Sequence, residues 1–199
     1  MPGPRASEAE RKEQILEAAL QVAMREGLEN LSTRKVAAEA RLSQGLVFFH
    51  FESKAALLLA LLGRLLERTA APQVDPELLQ IAAPAQRLVE LLRRDVARFL
   101  RERASVQLFF DYWVMGAHSP PVRDLIRQAL ARYRKAYEPI AEAIALDRKE
   151  RLPALDPQGL TAVMVSLIQG CAVQAVIDPE GFDLGQFTST AEDLLDLLK

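Results

Sequence analysis

The 199-residue sequence predicts an all-α protein with about nine helices. Two observations support this fold class. Alanine and leucine dominate the composition, and neither the alternating apolar pattern of strands nor an Asn-Gly hairpin turn is present. Half of the residues are hydrophobic, which is ordinary for a globular protein. We expect an N-terminal three-helix head with a helix-turn-helix at residues 1–52 and a C-terminal helical bundle at residues 53–199.

The first helix is expected to run from about Ser7 to Arg25. Its apolar residues Ile15 and Ala19 lie four positions apart and therefore share one face of the helix. Gly27 follows as a left-handed C-cap, because glycine takes that conformation most readily at a helix end.

Residues 32–54, with the sequence STRKVAAEARLSQGLVFFHFESK, predict two short helices joined by a tight turn. Ser32 or Thr33 can cap the first helix, and small residues such as Ala37 let the two helices approach closely. Ser43 can cap the second helix by accepting a hydrogen bond from the free N–H groups of its first turn. This is helix-turn-helix geometry, in which the second helix lies in the major groove of DNA.

Six more helices are expected after this motif. Ser53 is expected to cap the fourth helix, Asp156-Pro157 marks the start of the eighth, and Pro139 predicts a kink inside the seventh. Residues 70–83 are a linker with one helical turn at Pro76. The expected spans are about 53–69, 84–103, 105–118, 120–146, 157–177 and 184–198.

The charge of the whole chain is nearly balanced, with a formal net charge of −2, so composition alone does not indicate a nucleic-acid partner. Between Ser32 and Lys54, however, four basic residues stand against two acidic ones. The single cysteine, Cys171, excludes an internal disulfide and a multi-cysteine metal site. No signal-peptide pattern follows Met1, so we expect a cytoplasmic protein.

Residues 157–177 contain no charged side chain and are long enough to span a bilayer. Polar residues are scattered through the segment, Asp156 and Asp178 flank it, and no basic cluster marks a cytoplasmic side. A helix that is buried on most of its surface, partly by a second subunit, explains the segment better than a membrane span.

An ordered set of short motifs occupies about the first sixty residues. In this order and spacing they look like the N-terminal domain of TetR-family transcriptional repressors, and the body is similar to the betaine-regulator-type branch of that family in its helical pattern and its Phe-Asp-Tyr-Trp segment at 110–113. The N-terminal motifs are ILEAA at 15–19, Gly27, ST at 32–33, VA at 36–37, ARLS at 40–43, Gly45, HF at 50–51 and SKAAL at 53–57.

Two positions depart from the pattern of the family. Arg41 replaces the usual turn glycine, so it either takes a strained left-handed conformation or the turn differs slightly. Phe48 stands where the family usually has a tyrosine whose hydroxyl bonds a phosphate, so that contact is expected to be missing.

The resemblance implies roles in DNA binding. Hydroxyl and N–H groups at helix starts would hold phosphates, while Arg34, Gln44 and Leu46 are candidates for contacts to base edges. Gly45 lets the backbone approach the DNA. The predicted DNA-binding set is Thr33, Arg34, Ser43, Gln44, Gly45, Leu46, Phe48, Phe49, His50 and Lys54.

Aromatic residues are concentrated in the body, where they form either plain core or the lining of a ligand cavity. Few charged residues accompany these aromatic residues, which favours a small effector that is apolar or aromatic. An acyl-CoA-type thioester is a further possibility. The candidate effector pocket is Phe99, Phe109, Phe110, Tyr112, Trp113, Met115, His118, Tyr133, Tyr137, Gln169 and Gln174.

The last two helices carry more apolar surface than a single bundle hides, which predicts a two-fold, four-helix interface in a homodimer. The alternative is that both helices simply cover the core. The predicted interface is Val163, Met164, Leu167, Ile168, Cys171, Phe187, Leu194 and Leu198.

The resemblance implies a ligand-responsive repressor that is released from an inverted-repeat DNA operator. No Gly-rich phosphate loop, nucleophile elbow or metal-spaced His/Glu pair is present, so we expect neither an enzyme nor a cofactor. Asp111 and His118 could form a dyad on one helix face, but a hydrogen bond at the helix surface or in a pocket explains them better. A helical enzyme that uses the aromatic cavity and a protein-interaction module are the alternatives.

Overall fold

The computed structural model describes residues 7–69 and 76–196. Over these two ranges it contains ten helices and no strand, which confirms the all-α class. The helices are α1 (Glu8–Glu26), α2 (Thr33–Glu39), α3 (Gln44–His50), α4 (Lys54–Thr69), α5 (Pro76–Gln80), α6 (Pro84–Arg101), α7 (Arg103–His118), α8 (Pro120–Asp147), α9 (Pro157–Ile177) and α10 (Leu184–Asp196).

The additional helix is α5, which the sequence predicted only as a single turn within a linker. Its Leu78 is fully buried, so packing holds this short segment in helical form. The break between α6 and α7 falls at Glu102, whose φ and ψ are −110° and 29°, and the helix predicted to end near Arg103 therefore stops at Arg101.

The chain divides into two compact units. The first contains Met1–Thr69 and Gln107–Ile126, and the second contains Ala70–Val106 and Arg127–Lys199. Helices α7 and α8 therefore contribute residues to both units. The predicted boundary at residue 52 separates a DNA-reading head from the rest of the chain, and it stays a prediction.

The first unit is built on α1, which packs against both α2 and α4. Ser7 and Glu10 form a capping box at its start, with the Ser7 N–H donating to Glu10 at 2.6 Å and the Glu10 N–H donating to Ser7 Oγ at 3.2 Å. Ile15, Val36 and Val47 are fully buried, so one apolar side chain from each of the first three helices meets in the core.

The C-cap of α1 differs from the prediction. Gly27 has φ of 80° and ψ of 162°, so it takes the positive φ that favours glycine but not the left-handed helical conformation. Its N–H donates to the Ala23 carbonyl at 2.8 Å, and the extended ψ then directs the chain away from the helix axis.

The second unit has its core between α6, α8 and α9. Leu91, Tyr137 and Ile168 are buried there, one from each helix. Helix α9 starts at Asp156-Pro157, as predicted. Asp156 caps it: its Oδ2 accepts a hydrogen bond from the Gly159 N–H at 2.7 Å, and Pro157 occupies the first turn.

Helix α9 is long and apolar enough to cross a membrane, with a mean hydropathy of 1.9 over its most apolar window. Helices α3 and α4 meet the same test only when they are taken together across a 70° bend. A core helix of a soluble protein also meets this test, and α9 contributes Met164, Ile168 and Cys171 to the core of the second unit. Length and composition are therefore weak evidence for a span.

Candidate functional site

Helices α2 and α3 and the turn between them form the predicted helix-turn-helix. Ser32, rather than Thr33, caps α2, because its Oγ accepts a hydrogen bond from the Lys35 N–H at 3.3 Å. Arg41 has φ of 56°, so the turn keeps the left-handed conformation at the position where the family usually has glycine. The Ser43 Oγ accepts from the Leu46 N–H at 3.2 Å and caps α3, as predicted.

A side chain from α1 fixes the turn. Gln14 Nε2 donates a hydrogen bond to the carbonyl of Ala40 at 2.8 Å. This carbonyl lies at the end of α2, where carbonyl groups lose their partners within the helix. The sequence analysis did not find this contact, because it joins residues 26 positions apart and has no local pattern.

Most of the predicted DNA-binding side chains are accessible. Arg34, Ser43, Gln44, Gly45 and Lys54 are exposed, and Leu46 and His50 are partly buried. Phe48 and Phe49 are 44 % and 76 % exposed, so neither belongs to the core, whereas Phe51 is buried. Two exposed phenylalanines on a seven-residue helix leave an apolar surface in contact with water.

Thr33 and Gln44 contact each other. Thr33 is 8 % exposed, and its Oγ1 accepts a hydrogen bond from Gln44 Nε2 at 3.1 Å. The sequence predicted that Thr33 holds a phosphate and that Gln44 reaches a base. Both roles stay predictions, and a base contact through Gln44 Nε2 would have to share or replace this hydrogen bond.

The aromatic residues predicted for the effector pocket fall in both units. In the first unit, the Phe109 ring lies edge-on to Phe110 and Trp113, with centroids 6.0 and 5.7 Å apart. Tyr112 is fully buried, and its hydroxyl donates to the carbonyl of Leu58 on α4 at 2.7 Å. Met115 is partly buried and His118 is exposed. Tyr112 thus connects α7 to the helix that follows the reading head.

In the second unit, Tyr133 and Tyr137 stack at 5.7 Å, and both hydroxyls donate to Oδ2 of the buried Asp95. Arg98 Nη2 lies 3.2 Å from the other carboxylate oxygen. The sequence analysis missed Asp95 and Arg98, because on α6 they look like two more charged residues of an arginine-rich helix. The other predicted pocket residues here are Phe99 and Gln169, which are partly buried, and Gln174, which is exposed.

The burial of these groups changes their protonation equilibria. Desolvation raises the pKa of Asp95, and the hydrogen bond from Tyr133, the charge of Arg98 and the hydrogen bond from Tyr137 oppose this change. Desolvation together with the nearby Asp95 charge also raises the pKa of Tyr133 well above its ordinary value. The tyrosine hydroxyls therefore stay protonated and act as hydrogen-bond donors to the carboxylate.

An open apolar groove of about 670 Å³ runs between α9 and α10. Val163 and Leu194 line it and are 56 % and 59 % exposed. Leu167 and Phe187 are partly buried beside them. Of the other predicted interface residues, Met164, Ile168 and Cys171 are buried in the core of their own chain, and Leu198 lies outside the described residues.

No group of three or more His, Cys, Asp or Glu side chains that could hold a metal ion occurs in the described part of the chain. The predicted site residues lie in separate places. The DNA-binding set is on α2, α3 and the start of α4, the pocket set is divided between the two units, and the interface set is on α9 and α10.

Two families match this chain. Residues 15–61 match the bacterial regulatory proteins of the tetR family, and residues 84–198 match the C-terminal part of BetI-type transcriptional repressors. The chain belongs to the TetR family. It is a transcriptional regulator with a helix-turn-helix DNA-binding unit, as the resemblance of its first sixty residues predicted.

Named relatives and solved structures match most of the length of the chain. The nicotine-responsive transcriptional repressor HdnoR of Paenarthrobacter nicotinovorans is 26 % identical over 177 residues, which cover 88 % of each chain. A transcriptional regulator from Saccharomonospora viridis in complex with choline is 25 % identical, with a TM-score of 0.77 over 94 % of this chain and 96 % of the other. AibR in complex with isovaleryl coenzyme A and operator DNA has the same fold, with 19 % identity and a TM-score of 0.66 over 93 % and 97 % of the two chains.

Proposed function

We propose that this TetR-family regulator is a homodimeric, cytoplasmic repressor that leaves an inverted-repeat operator when a small effector binds its helical body. The observation that carries the proposal is the exposed face of α3. Ser43 caps this helix, and the side chains of Gln44, Phe48 and Phe49 lie outside the core. Two such helices related by a dimer axis would enter successive major grooves roughly 34 Å apart.

The effector is proposed to be small and apolar or aromatic. The aromatic residues of the body support this class, because rings bury a large apolar area and present a face to a ligand. The relatives named above respond to nicotine or are seen with choline or isovaleryl coenzyme A, so proteins of this architecture take organic ligands of different charge, an acyl thioester included.

Release from DNA requires that the effector prefers the conformation that does not bind the operator. A preference of about a hundredfold supplies near 3 kcal/mol against operator binding. The hydrogen bond from Tyr112 to the Leu58 carbonyl supports a route for this coupling through α7 and α4. Movement of α4, α7 and α8 would then change the spacing of the two reading heads. Equal effector affinity for free and operator-bound protein would contradict this mechanism.

The proposal is tested by selecting an operator from random DNA duplexes with the purified full-length protein and measuring binding by fluorescence anisotropy. Gln44→Ala is expected to cost about 1–3 kcal/mol on the selected operator and to relax the preference at one base pair. Lys54→Ala is expected to weaken binding to all duplexes and to lower the salt slope by about one.

The matched control is Lys149→Ala, which removes an exposed lysine between α8 and α9 and is expected to leave operator binding unchanged. Selection of no inverted repeat, or binding that neither salt nor these substitutions affect, would overturn the proposal. Salt-independent association would instead favour a protein-interaction module, because contacts to phosphates must weaken as salt rises.

A further inference from the structure

The turn between α2 and α3 ends α2 in a Schellman motif. The Leu42 N–H donates to the Ala37 carbonyl at 2.9 Å, and the Arg41 N–H donates to the Ala38 carbonyl at 3.1 Å. This motif needs a residue with positive φ at the position of Arg41, and glycine usually supplies it. Arg41 has φ of 56° and is the one residue other than glycine with positive φ in the part of the chain that the structure describes.

The backbone conformation does not explain why an arginine is present. A left-handed conformation crowds the Cβ atom of every residue except glycine, so Arg41 makes the turn less stable than a glycine would. The hydrogen bonds of the motif and the one from Gln14 to the Ala40 carbonyl hold the turn in this shape. Strained residues that their surroundings hold in place occur mainly at functional sites. The use of Arg41 therefore lies in its side chain.

That side chain is exposed and makes no hydrogen bond or ion pair within residues 7–69 and 76–196. Among the lysine and arginine side chains of residues 7–69, Arg34 and Lys54 share both properties. Arg34 lies in the first turn of α2, Arg41 lies just before α3 and Lys54 is the first residue of α4. The unpaired positive charge of this segment is therefore concentrated on the helix-turn-helix and the helix that follows it.

The other lysine and arginine side chains of residues 7–69 have partners in the chain. An acidic partner neutralises the charge of a cation, so these side chains add little to the field that attracts DNA. The pairs are Arg11–Gln14, Lys12–Glu8, Arg25–Glu26, Arg25–Glu39, Lys35–Glu26, Arg64–Glu13 and Arg68–Glu17.

We propose that Arg41 binds a phosphate of the DNA backbone and so holds the helix-turn-helix on DNA through its turn. The inference deepens the proposed function, on which it rests, because it adds a contact to the same DNA-binding surface. When α3 lies in the major groove, the segment just before it passes the phosphates that border the groove. A guanidinium matches a phosphate well, since its planar N–H groups donate two parallel hydrogen bonds to the phosphate oxygens.

Arg41 is a positioning residue in this arrangement. Contacts to phosphates fix the orientation of a protein on DNA but carry no sequence information, so Arg41 raises the affinity for every duplex. The loss of stability in the turn is then offset by tighter binding to DNA. A glycine at this position would give the more stable turn and the weaker DNA contact.

The test measures the DNA affinity of the full-length wild type, Arg41→Gly and Arg41→Lys by fluorescence anisotropy between about 50 and 200 mM potassium chloride. Arg41→Gly is expected to lower the slope of log affinity against log salt by about 0.9 for each head bound, and the affinity itself by about tenfold for each head at the lowest salt. Arg41→Lys keeps the charge and is expected to keep most of the slope. Arg41→Gly is also expected to unfold at a higher urea concentration than the wild type, because glycine takes positive φ without strain.

Arg25→Gln is the matched control. Arg25 lies 3.0 Å from the carboxylate of Glu39, the last residue of α2, and it also pairs with Glu26. Because its charge is already neutralised, its loss is expected to leave the salt slope unchanged. Arg41→Asn is a second uncharged variant, since asparagine tolerates positive φ. Agreement between Arg41→Gly and Arg41→Asn would exclude an effect of the flexibility of glycine.

An unchanged salt slope in Arg41→Gly and Arg41→Asn would overturn the inference, and so would an equal loss of slope in Arg25→Gln. A mixed-sequence duplex separates the inference from the proposed function, because contacts to phosphates do not depend on sequence. A lower slope of Arg41→Gly on that duplex, with no inverted repeat selected by the wild type, would leave the inference standing and overturn the repressor. Selection of an inverted repeat with equal slopes for the wild type and Arg41→Gly would overturn the inference alone.

Discussion

At the scale of single residues, the Asp95 carboxylate gives the folded protein a defined dependence on pH. Its pKa is raised above the ordinary value of 3.8, so between that value and the raised pKa the folded chain binds this proton more strongly than the unfolded chain does. The contribution of Asp95 to stability is therefore complete below the unfolded pKa and is lost as pH rises through the folded pKa.

We predict that the free energy of unfolding of the wild type, relative to that of Asp95→Asn, Arg98→Met, increases as pH falls from about 7 to about 4. The double variant lacks the Asp95 carboxyl group, so the difference between the two proteins reports on the proton of that group. Urea unfolding at several pH values measures this difference in the free energy of unfolding. A difference that shrinks on acidification would show that the folded chain lowers the pKa of Asp95 instead.

The sequence predicts single residues well where their partners are local. Ser43 caps α3 through the amide three positions ahead, and Asp156 caps α9 in the same way. The partners of Asp95 lie 38 and 42 positions away, and Gln14 reaches Ala40 across 26. No local pattern marks these contacts, since they exist only after the helices have packed.

At the scale of the elements, the junction between α7 and α8 depends on a glycine. A Cβ atom at Gly116 would lie 3.0 Å from Ile126 Cδ1 and 3.6 Å from Arg123 Cα. The isoleucine methyl would have to move, because 3.0 Å is shorter than an ordinary contact between carbon atoms. Gly116 therefore lets the two helices approach closely in the first unit.

We predict that Gly116→Ala lowers the free energy of unfolding by about 1–2 kcal/mol, because the strain exceeds the gain in helix propensity. Gly63→Ala is the control within α4, where nothing lies within 4 Å of the added carbon. It is expected to raise stability by up to about 1 kcal/mol. Urea unfolding of both variants checks the contrast, and equal effects at the two positions would contradict the close-packing argument.

The helices themselves follow from the sequence because their ends carry strong local signals. Prolines occupy the first turns of α6, α8 and α9, close to the predicted starts. The linker prediction at residues 70–83 falls partly outside the described residues, and the single helical turn predicted within it at Pro76 is the five-residue α5. The burial of Leu78 stabilises α5 as a helix. The kink at Pro139 stays a prediction.

At the scale of the whole molecule, the groove between α9 and α10 supports the homodimer of the proposed function. Val163 and Leu194 are more than half exposed on it, and isolated chains rarely keep such an apolar face in water. A second copy related by a two-fold axis would cover the groove with the same residues. The interface is then centred on these exposed positions rather than on the buried Met164, Ile168 and Cys171.

We predict that Val163→Glu and Leu194→Glu each dissociate the dimer, because an unpaired carboxylate in an apolar interface costs about 3 kcal/mol or more. Operator affinity should fall when the dimer dissociates, because each DNA-binding head then binds its half-site alone. Leu146→Glu is the control, as Leu146 is 75 % exposed near the end of α8. Sedimentation velocity measures the oligomeric state of each variant. A Val163→Glu protein that remains dimeric would show that the interface lies elsewhere.

The sequence by itself determined the helical class, the helix-turn-helix and the family, because period, caps and motif order are local properties that survive without a structure. It also predicted which residues of α3 are exposed, because the face of a helix on which a residue lies follows from its spacing along the chain. The tertiary structure decided which residues of α9 are core and which are surface, and it brought Asp95 and Arg98 together with two tyrosines from another helix. Apolar residues lie on every side of α9, so the sequence does not show which side is core. A buried charge cluster has no partners until distant segments pack. Both facts depend on the packing of α6, α8 and α9.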